Sequence, residues 1–369
     1  MKIGITLRYL DNFEARLFSN GLYQNIFTLY NLLKNIGYTP VICIGLAPEF
    51  DNCKKSLSEM GFDSIEFKAK EIKNAKLDLI IEAGTVIDSL DGIRSVCPNI
   101  KVVALLYGNP YFPRIENVIF NKEVGSSSMA AKREGVWVSP HFEFSKEFLK
   151  AMSGVEEVKT APFIWTPKYM DKSLEERGFD RESFIKNLKP AGDIAVLEPN
   201  INILKTSIIP SMIIESLYNE HPELIKSGMC YGSYELIESK TANTILSNLN
   251  CVKKKVLTVE HRYKFADIFT KWSGSIVSHQ HYNELNYVYL EALHYNIPLI
   301  HNSPFFKDVG YYYDEFNISE GKEALKEAIL THKYRSQEKR ELEEYHVNKF
   351  LDTNQKNING YKELIESLF

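Results

Sequence analysis

Twice along this chain, a series of short apolar runs alternates with amphipathic stretches, and the connections between them are short. This pattern limits the possible folds more than any other feature. Parallel strands need a crossover between them, and the crossover helices then cover both faces of the sheet. The first series predicts strands over 2–7, 39–44, 64–67, 77–82 and 101–106. A helix over 21–36 carries Leu22, Ile26, Leu29, Leu32 and Leu33 at helical spacing and is closed by Gly37. Further helices are expected over 54–60 and after Thr85. Pro162, Pro167 and Pro190 surround the charged stretch 171–182 and interrupt the alternation, so 161–190 reads as an interdomain linker. The pattern restarts with a strand over 193–197, a helix over 208–220, a strand near 251–256 and a helix over 263–271. A strand over 274–278, a helix over 284–295 and a strand over 297–301 follow. The expected class is α/β: a Rossmann-like domain over 1–165, a second over 166–340 and a helical tail over 341–369 with Tyr361 and Leu364 on its apolar face. Function in such sheets gathers at the carboxyl ends of the strands.

Composition narrows the function classes. A chain of 369 residues exceeds the range of one growing core, which agrees with two domains. Lys and Arg total 44 against 48 Asp and Glu, so no overall basic field holds a polyanion and any such contact is local. No apolar run approaches the length of a membrane span, and the opening Met1–Thr6 reads as a strand rather than a signal peptide. A cytoplasmic protein without membrane partners is expected. Cys43, Cys53, Cys97, Cys230 and Cys251 are scattered and odd in number, which fits free thiols in a reducing compartment. Phosphate-loop, zincin and serine-elbow motifs are absent.

The most informative stretch is 278–303. A strand ends in the polar run Ser278-His279-Gln280-His281, a helix is expected from Asn283 or Glu284, and Asn296 stands where a left-handed stop belongs. Glu284 and Glu291 are seven residues apart and would share one face of that helix. The N-terminus of such a helix suits a diphosphate, and a carboxylate two turns further in can accept both hydroxyls of a ribose. His279, Asn286 and His301 flank the helix and are not what a plain core helix needs. Elsewhere, Tyr107 and Tyr111 lie in a Pro-rich turn after the 101–106 run, with Trp137 and His141 beyond. They are candidates to stack a base or a sugar, or to pack a loop. The lysines at 253–255 read as a solvated strand edge.

The strand, polar turn, acid-bearing helix and Ile297-Pro298-Leu299-Ile300 strand resemble the donor-binding half of GT-B glycosyltransferases. The resemblance implies two facing Rossmann-like domains, with the C-terminal helix returning to the first. Retaining members often carry two Glu eight residues apart. Here Asn283 holds the eighth position, which leaves Asn283, Glu284 or Asn286 for the sugar-facing role, and Glu291 matches the ribose acid. The resemblance also implies that Lys205 meets the donor diphosphate, with Arg262 as partner, and that Asn20 and Gly21 form a glycine loop toward the donor. Asp11 or Glu82 would be the general base of an inverting reaction. The implied cofactor requirement is a nucleotide-sugar, expected to be UDP-linked, with no metal.

The resemblance implies a hydroxyl acceptor. The chain is similar in plan to GT-B enzymes of T-even-like phages, which implies 5-hydroxymethylcytosine in phage DNA as the acceptor, arabinose or glucose as the sugar and a host cytoplasm as the setting, and a composition rich in Lys, Asn, Tyr and Phe agrees with a phage source. The alternatives are a bacterial surface-polysaccharide or protein glycosyltransferase and, in another class, an inactive GT-B-like binding protein or a nucleotide-sugar epimerase.

Overall fold

The computed structural model describes residues 1–9, 21–45, 49–85, 87, 90–121 and 133–369. They form two units: Met1–Thr166 together with Lys349–Phe369, and Pro167–Asn348.

In the first unit, seven strands run parallel: β1 (Lys2–Arg8), β2 (Thr39–Gly45), β3 (Ser64–Glu66), β4 (Leu79–Gly84), β5 (Lys101–Leu106), β6 (Gly135–Val138) and β7 (Val158–Thr160). Their order in the sheet is β3-β2-β1-β4-β5-β6-β7. β1 lies inside because both of its faces are covered. Ile3, Ile5 and Leu7 are buried on one side and Gly4 and Thr6 on the other, as expected of a parallel strand with helices above and below. The Gly21–Ile36 helix packs its Ile26, Leu29, Leu32 and Leu33 inward and ends at Gly37, whose φ of 101° is left-handed. A side chain on Gly84 would collide with Ile26 of that helix and come within 2.8 Å of the Thr6 carbonyl oxygen, so the close approach there requires glycine. The Gln355–Glu366 helix belongs to this unit, with Tyr361 buried and its hydroxyl donating to the Pro162 carbonyl at 3.1 Å.

The second unit has six parallel strands: β8 (Asp193–Val196), β9 (Ser227–Tyr231), β10 (Leu257–Glu260), β11 (Ser275–Val277), β12 (Leu299–His301) and β13 (Tyr311–Tyr312). Their order is β10-β9-β8-β11-β12-β13. Val196, Val277 and Ile300 from the sheet pack with Ile213, Ile214 and Leu217 of the Ile208–Glu220 helix and Leu325 of the Ile318–Thr331 helix. Both sheets therefore start in the middle, wind outward one way and then the other. The turning point lies between β1 and β4 in one unit and between β8 and β11 in the other. Connections leave on opposite sides at such a point and open a crevice at the carboxyl ends of the strands.

Four sequence expectations need correction. Residues 251–256 are not a strand: Asn250–Lys253 is a helical turn, and β10 begins only at Leu257. The Glu215 carboxylate accepts the Asn250 and Cys251 N–H groups at 2.8 and 2.9 Å, a cap from a distant helix that outweighs local strand propensity. The lysines at 253–255 thus close a helical turn, with Lys255 left-handed at φ 58°, rather than edging a strand. The stretch 161–190 holds two short helices, Lys168–Glu175 and Arg181–Lys186, and the second starts with an Asp180–Ser183 capping box. The expected 284–295 helix spans only Tyr287–His294, because the Asn286 side chain caps it by accepting the Val288 N–H at 3.2 Å.

Candidate functional site

The turning point of the second sheet brings together the connection after β8 and the connection after β11. The first runs through Glu198, Asn200 and Lys205. It is pinned by Asn200, whose side chain accepts the Ser207 N–H at 2.8 Å and donates to Ser233 at 2.8 Å. The second runs through Ser278 to Asn286. The two join where the backbone of Lys205 bridges that of Gln280 and His281 N–H donates to the Leu204 carbonyl at 2.9 Å.

Glu198 lies beneath this junction, 2 % exposed. One oxygen accepts the Ser278 hydroxyl and the His279 N–H, and the other accepts the Gln280 side-chain amide at 2.6 Å. Burial pushes its carboxyl up, against the pull of the Lys205 charge and of these donors. Lys205 is half-buried. Desolvation lowers its pKa, the Glu198 carboxylate raises it, and Arg262 is near enough to lower it again. Two cations and one carboxylate therefore share this corner, with Arg262 exposed on the connection after β10.

His279 is buried. Its Nδ1 lies 3.0 Å from the Tyr313 hydroxyl, which also donates to the Ser278 carbonyl at 2.9 Å. A carbonyl only accepts, so the single phenolic proton goes there, and His279 must carry its own proton on Nδ1. Its Nε2 is then a bare acceptor, buried and, among the described residues, without a hydrogen-bond partner. Burial holds the ring neutral, with a pKa lowered to about 4. Phe316 covers this ring at 4.6 Å between centroids. His301 is a brace for the neighbouring strand end: its Nε2 bonds the Val309 carbonyl at 2.9 Å and its Nδ1 accepts the Ser303 N–H at 3.2 Å.

Asn283, Glu284 and Asn286 all precede the Tyr287–His294 helix. Glu284 and Glu291 consequently do not share a helix face. The Asn283 amide donates to the Gln280 side-chain oxygen at 3.2 Å. Burial raises the Glu284 carboxyl while the backbone N–H groups of Glu284 and Tyr282 pull it down, and its carbonyl accepts the Ser303 hydroxyl at 2.9 Å. Glu291 sits inside the helix, 7 % exposed. No side-chain or backbone donor among the described residues reaches its carboxylate, and burial alone raises its pKa to about 8. Sequence reasoning missed Glu198, Gln280 and Tyr313. The one local signal was a carboxylate placed directly after an apolar strand, in Leu197-Glu198.

In the first unit, Asp11 and Asn20 lie outside the described residues. Gly21 opens its helix, and among the described residues an added Cβ there would meet nothing within 4 Å. Glu82 is not presented as a base. It is buried, accepts Arg133 at 2.5 and 3.0 Å, and accepts the Ile87 N–H at 2.6 Å. Trp137 is corrected from a stacking residue to a core residue: it lies in β6, 1 % exposed. His141 is likewise buried, packed against Phe142 and Phe163. Tyr107 and Tyr111 stay half-buried after β5, with Tyr111 edge-on to Phe148. Among the described residues, no group of His, Cys, Asp or Glu is placed to hold a metal ion, and no helix is long and apolar enough to cross a membrane.

A model of the family described as "Protein of unknown function (DUF2827)" matches residues 3–365. No curated protein matches the sequence. Among solved structures, the chain is similar to a glycosyltransferase from Rickettsia africae (13% identity, TM-score 0.58, covering 100% of this chain and 98% of that one). It is similar to an alpha-glucosyltransferase in complex with UDP and a 13-mer DNA containing an HMU base (13% identity, TM-score 0.60, covering 100% and 99%). It is also similar to the pneumococcal O-GlcNAc transferase GtfA in complex with UDP and GlcNAc (10% identity, TM-score 0.60, covering 100% and 99%). Two parallel-sheet units together with these likenesses give the chain the GT-B fold class.

Proposed function

This chain belongs to the DUF2827 family, and we propose that it is a glycosyltransferase that moves a sugar from a UDP-sugar to a hydroxyl acceptor. The observation that carries the reading is Glu291. A carboxylate buried in a helix and left without a protein donor is costly, unless a ligand supplies the donors. A ribose does so with two adjacent hydroxyls. Lys205 lies across the same turning point, with Arg262 in electrostatic reach, and offers the positive charge that a diphosphate requires. Three further groups face a sugar in this reading: the bare His279 Nε2, Asn283 and Glu284.

In the reaction, the bond between the anomeric carbon and the phosphate oxygen breaks. Its electron pair leaves with UDP, where Lys205 and Arg262 stabilise the added charge. The acceptor oxygen forms the new bond, and its proton passes to a base or to the departing phosphate. Asp11 is the proposed base of the inverting route, and the phosphate replaces it in a retaining route.

For the acceptor we propose 5-hydroxymethylcytosine in DNA, with arabinose or glucose as the sugar. The likeness to an enzyme solved with UDP and DNA supports this. A bacterial polysaccharide or protein acceptor is the competing outcome. The test is to incubate the protein with UDP-glucose, UDP-arabinose or UDP-N-acetylglucosamine and hydroxymethylated DNA, then digest the DNA and weigh its nucleosides. A sugar-mass gain on hydroxymethyldeoxycytidine supports both the activity and the acceptor. UDP release with unchanged nucleosides removes DNA as acceptor. Absence of UDP binding in calorimetry, with and without EDTA, removes the enzyme reading.

A further inference from the structure

Glu198, Gln280 and Asn283 form a chain of hydrogen bonds whose direction is decided at one end. Glu198 accepts Gln280 Nε2 at 2.6 Å, and Gln280 Oε1 accepts Asn283 Nδ2 at 3.2 Å. Glu198 and Gln280 are 2 % and 1 % exposed. Asn302 holds the Gln280 backbone on both sides, accepting its N–H at 2.9 Å and donating to its carbonyl at 2.8 Å. The Gln280 side chain therefore has one freedom left, which end of its amide faces which neighbour. An ionised carboxylate only accepts, so it must face the NH2 group. That choice turns the Gln280 oxygen toward Asn283 and takes the NH2 of Asn283. The Asn283 oxygen remains without a partner among the described residues.

We propose that Glu198 is a positioning residue that acts through Gln280 to make Asn283 present a hydrogen-bond acceptor, and that the ligand group selected there is a hydroxyl on the donor sugar. The proposal rests on the reading of this unit as a nucleotide-sugar site, but the relay itself does not. Because the chain is directional, it can be reversed. In Glu198→Gln, one position still accepts from Ser278 and His279, while an NH2 group replaces the oxygen that faced Gln280. The Gln280 amide must then turn over, and its NH2 group faces Asn283. Asn283 turns in response and presents a donor where it had presented an acceptor. Asn283→Asp in the natural background sets a carboxylate against the Gln280 oxygen. In the Glu198→Gln background the same aspartate meets an NH2 group and again offers an acceptor outward.

The experiment compares four proteins, the natural chain, Glu198→Gln, Asn283→Asp and the double variant. UDP and the three UDP-sugars named above are titrated by calorimetry, and each protein is melted. Each single variant is expected to bind UDP-sugar about tenfold more weakly. Glu198→Gln should bind UDP alone at least as tightly, since Lys205 loses the carboxylate that neutralises it. The double variant should recover to within about threefold of the natural protein, the coupling that contact between the sites predicts. Multiplying losses, or an equal loss for UDP, would overturn the proposal. If the natural protein binds no nucleotide, or no UDP-sugar more tightly than UDP, the sugar-selecting role falls and the melting curves judge the relay. Asn283→Asp must then lower the melting temperature less in the Glu198→Gln background than in the natural one, and equal shifts reject it.

Discussion

The Tyr313 hydroxyl stands between a carbonyl and a ring nitrogen, 2.9 Å from the Ser278 oxygen and 3.0 Å from His279 Nδ1. Its one proton goes to the carbonyl and so dictates the tautomer of His279. Nitrogen NMR should show His279 protonated on Nδ1 only, and neutral from pH 8 down to about 4. Tyr313→Phe leaves a buried carbonyl without its donor, and stability should fall by about 1–3 kcal/mol in denaturant titrations. A ring that titrates near 6.5 in the natural protein would reject the assignment.

Glu291 ties nucleotide affinity to pH. Its carboxyl is raised from 4.5 to about 8, so at neutral pH the empty site holds a proton that the diol must displace. UDP affinity should rise as pH climbs toward 8, by as much as tenfold per unit, and then level off. Stability moves the other way. Between 4.5 and 8 the folded state keeps a proton that the unfolded chain has released, so stability is lost as pH rises through that window. Glu291→Gln should flatten both profiles and weaken UDP binding. Unchanged UDP affinity in Glu291→Ala would exclude the ribose role.

Glu82 and Arg133 form a buried ion pair, 4 % and 2 % exposed at their side chains. Arg133→Met alone leaves the buried carboxylate without its counter-charge, with the Ile87 N–H still on it, and should cost about 3–5 kcal/mol, whereas replacing both residues by apolar ones of similar volume should cost much less. Denaturant melts of the single and double variants decide this. An equal cost for both would mean that the pair contributes net stability.

Asp11 carries a prediction from sequence alone. Asp11→Asn should lower turnover about a hundredfold or more while UDP binding persists, if the reaction inverts and this carboxylate is the base. Largely retained turnover would favour proton transfer to the departing phosphate.

The strands most legible in the sequence were those with long apolar runs, such as Leu79–Ile81 in β4 and Val102–Leu106 in β5. β6, β7, β9 and β13 are not legible, because a four-residue run stopped by Ser139-Pro140, three residues around Lys159, a Gly-Met pair or two tyrosines give no periodicity to read. Cys251–Val256 reads as a strand until Glu215, 36 residues from Cys251, caps it as a helical turn. The same physics divides the site. Glu291 and Lys205 could be picked out by their place in the strand-helix order. The pairing of Glu198 with Gln280 spans 82 residues, and only the folded sheet brings it about.

Within the first unit, the segment that ends at Thr166 and the one that starts at Lys349 are laced together. Trp165 and Leu351 form a parallel bridge, with the Trp165 N–H on the Phe350 carbonyl at 2.7 Å and the Asp352 N–H on the Trp165 carbonyl at 2.9 Å. During synthesis this sets an order of completion. The second unit is one continuous stretch and has all its residues once Asn348 is made. The first unit, although begun earlier, waits for its last helix to cover the flank of Gly21–Ile36. A chain cut short before Gln355 thus keeps every residue of the later unit while the earlier one lacks its closing helix, so loss of the last residues falls on the half of the protein that is made first.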